Sequence, residues 1–327
     1  MIQNIQRWAT GLSASLCVLA SQAGVLPGPL VDTHWLAAHA DEVQVVEVRG
    51  NAKSFTAQPE VSTDAKGKKT IDEIGGHIPG AVVIDAKKMR VERQIGDQKV
   101  KYMIPAAADF EKFVRAAGVN TSKPLVLVPV GLDVADMNDA LRMYWQFKVY
   151  GQDEMAVLDG GYSSWLLEGR PVETKAAAAT GDWVVKADRT AQYMASSDDV
   201  AKAIKKHNAT LVDSRDAPLF HGVVKRDYVF GYGHLAGAKL YSADLMFKSA
   251  GGSLKFMPAA TYSALMKAQG INPAAAAITY CNSGHLSSGP WFVMSEMLGD
   301  KSVKLYDGSL HEWTLEKREL TGAVPLN

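Results

Sequence analysis

An internal duplication constrains the fold of this chain more than any other feature. Val45-Val46-Glu47-Val48-Arg49 is followed by Gly76-His77-Ile78-Pro79-Gly80-Ala81 and then by the apolar run Pro124-Leu125-Val126-Leu127-Val128. The stretch closes with Val157-Leu158-Asp159-Gly160-Gly161 and Trp165. The same signals return in order as Thr210-Leu211-Val212-Asp213-Ser214-Arg215, Gly233-His234-Leu235-Ala236-Gly237-Ala238, Ala277-Ile278-Thr279-Tyr280, and Leu305-Tyr306-Asp307-Gly308 with Trp313. Ordered self-similarity of this kind marks two units folding by one plan. The Ala/Thr/Gly stretch from Lys175 to Gly181 reads as the linker, which divides the chain into halves at 28–175 and 183–327.

Each half alternates short, nearly continuous apolar runs with helical patterns such as Ala108–Ala117, Met137–Val149 and Ala259–Gln269. Continuous apolar strands are buried on both faces, so the pattern predicts an α/β domain, a parallel sheet with helices on both faces. Ligands of such sheets bind beyond the carboxyl ends of the strands. The run Ala277–Tyr280 ends in that position with a cysteine, Cys281, followed by Asn282-Ser283-Gly284-His285-Leu286-Ser287-Ser288 and a helical pattern from Trp291 to Leu298 stopped by Gly299.

A thiol before a helix start is surrounded by backbone N–H groups that favour thiolate over thiol. The amides from Asn282 to Ser287 are the expected anion cradle. Gly284 is expected to admit a close backbone approach, and Ser287 and Ser288 to cap the helix. The first half reads Val128-Pro129-Val130-Gly131-Leu132-Asp133 at the corresponding place. It has no cysteine, so one active and one inactive half are expected.

The amino terminus has a polar start to Arg7, an apolar stretch over residues 8–20 and a small residue at Ala23 before Gly24. This is the three-part pattern of an export signal over 1–23, and it predicts a periplasmic or secreted protein without a membrane span once cleaved. Cleavage would remove Cys17 and leave Cys281 alone, a free thiol in an oxidising compartment. With 35 basic and 35 acidic residues the formal charge is zero, so nothing suggests a nucleic acid or an anionic membrane surface as partner.

The doubled Gly-His-x-x-Gly-Ala motif, the doubled strand-Asp-Gly-x₄-Trp ending and the loop Cys281-Asn282-Ser283-Gly284-His285-Leu286 resemble those of tandem rhodanese-type sulfurtransferases. The resemblance covers nearly all of the mature chain. It implies two rhodanese-like domains, with the nucleophile only in the second. It also implies a cycle in which Cys281 takes a sulfane sulfur from a donor such as thiosulfate or 3-mercaptopyruvate. The resulting persulfide then passes that sulfur to cyanide, a thiol or a protein acceptor, with no cofactor. Departures bear on the substrate. Family members selective for thiosulfate carry a basic residue where this chain has Ser283, Leu286 replaces a usual hydroxyl residue, and Leu219 replaces an arginine before Phe220-His221-Gly222. Arg226, with Lys225 beside it, is the candidate to recover the anion-binding charge.

Other residues have plainer readings. His77 and His234 sit in Gly-rich turns of both halves and read as structural; Arg49 and Arg215 read as members of buried ion pairs, the latter with Asp213. Trp165 and Trp313 read as packing. His285, inside the loop, is a candidate to tune the thiolate or touch substrate. The histidines show no metal-ligand spacing. A phosphatase would need an arginine six residues after the cysteine, where this chain has Ser287. A disulfide oxidoreductase would need Cys-x-x-Cys, which is absent. The alternative kept open is a sulfur carrier without turnover, or a partner-binding module of a periplasmic sulfur-oxidation system.

Overall fold

A computed structural model describes residues 25–176 and 180–325. The segment 1–23 read as an export signal, and Cys17 with it, lies outside the described residues. Two five-stranded sheets form, with every neighbouring pair parallel. The first has the order Leu30–Val31, Met155–Leu158, Leu125–Val128, Gln44–Arg49, Val82–Asp85. The second repeats it as Met194–Ala195, Lys304–Tyr306, Ala277–Tyr280, Thr210–Asp213, Lys239–Leu240.

The alternation of strand side chains explains why these apolar runs are continuous. Val46, Val48, Leu125, Leu127 and Val157 face one side and pack with Phe110, Val114 and Met137 of the helices Ala107–Ala116 and Val134–Val149. Val45, Val126, Val128 and Leu158 face the other and pack with Leu36, Tyr162 and Trp165. The second half follows suit: Val212 and Leu305 meet Trp291 and Phe292, while Leu211, Ile278 and Tyr306 meet Leu310 and Trp313. The Trp291 face and the Phe110 face belong to one continuous core, so the two halves share their largest hydrophobic cluster. Among the described residues no helix is long and apolar enough to cross a membrane.

The connector continues beyond residue 183. The Trp183 amide bonds to Val119 O and that of Arg189 to Val149 O, and the Trp183 ring packs edge-on against Phe110 and Phe147 of the first half. The second half's own sheet starts only at Met194.

Each half also sends a hairpin to the other. The hairpin Val91–Ile95/Gln98–Met103 leaves the first half, and the Ile104 amide donates to Asp307 Oδ2 at 2.8 Å. The hairpin Phe247–Ala250/Ser253–Phe256 leaves the second half, and the Phe256 amide donates to Asp159 Oδ1 at 2.8 Å. The aspartate of each Asp-Gly ending therefore anchors the partner half.

The Gly-His motifs are structural by geometry. His77 stacks on Phe55 (centroids 3.8 Å) and His234 on Phe220 (3.7 Å), each bonding through Nδ1 to that residue's carbonyl. The arginines after the strands are paired in burial. Arg49 Nε donates to Glu47 Oε2 at 2.8 Å, and Arg215 Nη2 to Asp213 Oδ2 at 2.7 Å.

Candidate active site

Cys281 closes the strand Ala277–Tyr280 and is 2% exposed, at the floor of a cleft of about 350 Å³. Its loop is pinned from below by Ser309. The Ser309 Oγ accepts from the amides of Cys281 (3.1 Å) and Gly284 (3.0 Å) and donates to Tyr306 O (2.8 Å). Ser309 is buried with φ +49°, a left-handed conformation that strains any residue but glycine. Gly284, at φ +73°, could carry no side chain: a Cβ there would lie 2.5 Å from Asp307 O and 2.8 Å from Arg142 Nη1. With the Gly284 amide taken, those of Asn282, Ser283, His285, Leu286 and Ser287 have no acceptor among the described residues. Five of the six amides from Asn282 to Ser287 are thus left without a protein acceptor, and four of those belong to residues that line the cleft.

The loop contributes Cys281, Asn282, Ser283, His285 and Leu286 to the cleft wall. Arg226, Tyr228 and Leu219 line it as well. Gly284 and Ser287 do not reach the wall; Ser287 is fully buried and its Oγ has no partner. Arg226 faces the cleft, whereas Lys225 lies over the Tyr232 ring. The expected capping by serines is corrected. Ser287 occupies the cap position but bonds nothing there, and Ser288 Oγ donates back to His285 O. The helix after the loop is also corrected. It runs α-helical over Ser288–Phe292 and then widens to a π turn over Val293–Met297, where the Leu298 amide reaches Val293 O.

The first half completes the site. Arg142, fully buried on the helix Val134–Val149, donates from Nη1 to Gly284 O at 2.9 Å, and its Nη2 lies 2.5 Å from Asp307 Oδ1 as an ion pair rather than an aligned hydrogen bond. One helical turn earlier, Asp139 Oδ1 lies 2.9 Å from His285 Nε2. Arg90 lines the cleft from the root of the first hairpin, over the Tyr102 ring, with no carboxylate within ion-pairing distance among the described residues. Burial and then the Arg142 charge lower its pKa from the ordinary guanidinium value, against Cys281, Asp139 and Asp307. Tyr228 is pushed above the usual phenol range, chiefly by burial.

Arg90, Asp139, Arg142 and Ser309 were not foreseen. Ser309 left a readable signal, since the repeat has Asp-Gly-Gly in one half and Asp-Gly-Ser in the other. An arginine inside the apolar helical pattern at Arg142 was another. Arg90 and Asp139 gave none.

A parallel sheet ending in a pinned cysteine loop, doubled with one half lacking the nucleophile, defines a class, and comparison with known proteins agrees. The family profile described as Rhodanese-like domain matches residues 32–168 and 196–316. The chain belongs to the rhodanese family, as a sulfurtransferase with two tandem rhodanese-like domains. Among its relatives, the sulfur carrier protein TtuD of Thermus thermophilus is 28% identical over 300 residues, covering 88% of this chain and 94% of the relative. A protein of Saccharopolyspora erythraea named "Putative thiosulfate sulfurtransferase" is 31% identical over 278 residues, covering 79% of this chain and 90% of that one. The crystal structure of SseA from Escherichia coli, described as showing the fold of 3-mercaptopyruvate sulfotransferases, superposes with a TM-score of 0.68 at 23% identity, over 86% of this chain and 98% of that one. At that identity the likeness is one of fold.

Proposed function

We propose that the protein is exported and moves a sulfane sulfur from a small anionic donor, thiosulfate or 3-mercaptopyruvate, to a thiophilic acceptor through a persulfide on Cys281. With thiosulfate, Cys281 thiolate attacks the outer sulfur and sulfite leaves with the electron pair of the broken S–S bond. The persulfide anion then gives that sulfur to the acceptor and restores the thiolate. The observation that carries this reading is the convergence on Cys281 of unpaired loop amides with Arg90 and Arg226, a site suited to a bound anion and an anionic persulfide. The names of the thiosulfate sulfurtransferase relatives support the donor class, and the N-terminal pattern over 1–23 supports export.

Intact mass of the purified protein before and after thiosulfate or 3-mercaptopyruvate tests it. The expected result is a gain of one sulfur atom, reversed by cyanide and absent in Cys281→Ser, which should also lose transfer while unfolding at the same temperature. More than trace transfer by Cys281→Ser would sink the mechanism.

A second reading is a sulfur carrier loaded and emptied by proteins. It is favoured by the exposed Val223, Val224, Phe230 and Tyr232 on the segment that bears Arg226, and by the name of the Thermus relative. A carrier would accept one sulfur yet fail to turn over with small donor and acceptor.

A further inference from the structure

His285 is the one loop side chain tied to the opposite half. Its Nε2 lies 2.9 Å from Asp139 Oδ1, and both side chains are largely buried, at 16% and 15% exposure. A carboxylate only accepts, so Nε2 carries the hydrogen of that bond and Nδ1 holds the ring's lone pair. Nδ1 has no hydrogen-bond partner among the described residues, and the ring stands in the wall of the Cys281 cleft. The charged groups acting on it are Asp139, Arg90 and Arg142 from the first half; Cys281, Arg226, Asp216 and Asp244 of the second line the same cleft, and Asp307 pairs with Arg142. Burial first, then the Arg90 and Arg142 charges, hold His285 below the ordinary histidine range against the pull of Asp139. A neutral imidazole with an open lone pair beside the nucleophile is a base.

With thiosulfate as donor the loading step gives this base nothing to do, because thiosulfate carries no proton on the sulfur it transfers. An acceptor thiol does. With a pKa of about 8.5 it is mostly protonated near neutrality and must shed its proton to attack. We propose that His285, oriented by Asp139, takes the proton from an acceptor thiol, and that a thiol is the acceptor class this site is built to serve. In that step the S–H bond breaks and its proton goes to His285 Nδ1. The acceptor sulfur bonds the outer sulfur of the persulfide, and the S–S bond to Cys281 breaks with its electron pair left on Cys281. One thiol and one persulfide anion become one acceptor persulfide anion, one Cys281 thiolate and one protonated His285; the proton then passes to water.

This inference rests on the Cys281 persulfide, and its test keeps the two apart. The protein is loaded with thiosulfate, or with inorganic polysulfide, and loading is confirmed by intact mass. Discharge is then followed in a single turnover with 2-mercaptoethanol or with sulfite, at a pH between the second ionisation of sulfite and that of the thiol, where sulfite is the dianion with no proton to lose and the thiol is still protonated. For His285→Gln the ratio of thiol to sulfite discharge rates should fall at least about tenfold in that window. The deficit should close as pH rises toward the thiol's own pKa, and Asp139→Asn should show the same pattern more weakly. A parallel loss with both acceptors, a deficit that ignores pH, slower loading alone, or no change in the ratio would each overturn the proposal. Failure of the wild type to load from either source would instead remove the persulfide reading beneath it.

Discussion

The loop Cys281–Ser287 and its counterpart Pro129–Asp133 are held by the same two backbone bonds. Leu310 and His311 donate to the carbonyls of Cys281 and Asn282, as Tyr162 and Ser163 do to those of Pro129 and Val130. Pro129 therefore occupies the nucleophile's place. It has no N–H, and the residue beneath it, Gly161 at φ +58°, has no hydroxyl. Cys281 does have an N–H, and Ser309 adopts the same left-handed backbone at φ +49° to supply the oxygen that receives it. The first-half loop is two residues shorter and ends in one acid, with a second on the first turn of the helix that follows. Asp133 caps the next helix, Asp136 Oδ2 accepts from the Leu132 amide at 3.3 Å, and burial together with Asp133 pushes the Asp136 carboxyl up to about 6. Negative charge stands where the active loop leaves donors open. The comparison teaches that a catalytic half needs a pinned, acid-free loop as well as a cysteine, and that the strain of a left-handed serine is tolerated for the pin.

The largest effect should come from the pair that joins the halves. Arg142→Met would strand the Asp307 carboxylate in a fully buried site and release Gly284 O. Breaking one side of such a pair costs about 3–5 kcal/mol. Urea unfolding should register that loss, and sulfur transfer should fall with it because the loop loses its ceiling. A stability change within error would mean that Asp307 is satisfied through Ile104 alone.

Ser309 separates strain from pinning. Ser309→Gly copies the first half. It should relieve the left-handed backbone while removing three hydrogen bonds, so the unfolding midpoint should move little as the two effects offset. Transfer activity should nonetheless drop by roughly tenfold or more, because the Cys281 and Gly284 amides lose their acceptor. Ser309→Ala keeps the strain and loses the bonds, and should be the less stable of the two by roughly 1 kcal/mol. If the glycine variant retained full activity, the pin would be irrelevant to the chemistry. The reverse change, Gly161→Ser, is barred by space: a Cβ there would lie 2.4 Å from Pro129 O.

What the sequence disclosed follows from how local each signal is. Strand, cysteine, glycine turn and repeat register are encoded within a few residues, so the parallel sheets and the place of Cys281 at a strand end were legible. Arg226, singled out for its charge, lines the cleft. Arg142 and Asp139 reach the loop across 142 and 146 residues of chain, through a packing of one half on the other that no local pattern specifies. The π turn at Val293–Met297 and the idle Ser287 hydroxyl depend on how that helix seats in the shared core, and they escaped for the same reason.

The two hairpins sharpen the comparison once more, with the smallest expected effect. Ile104 and Phe256 bond to matching aspartates, and Phe256 pairs with Phe247, so by register the residue matching Phe247 is Arg90. A cation from the first half thus lines the cleft of the cysteine loop, whereas its match in the second half is an aromatic ring packed on Phe256 in the shared core. If Arg90 serves the anionic end of the donor, Arg90→Met should lower kcat/KM for thiosulfate by roughly tenfold, mainly through KM, as expected for one charged hydrogen bond in a partly open cleft. An uncharged sulfane donor such as an organic trisulfide should lose much less, and the salt dependence of the thiosulfate reaction should flatten. Equal losses with charged and uncharged donors would make Arg90 a support for Tyr102 and leave Arg226 as the substrate's counter-charge. That outcome would confine anion recognition to the catalytic half, with the first half contributing only the groups that hold the loop.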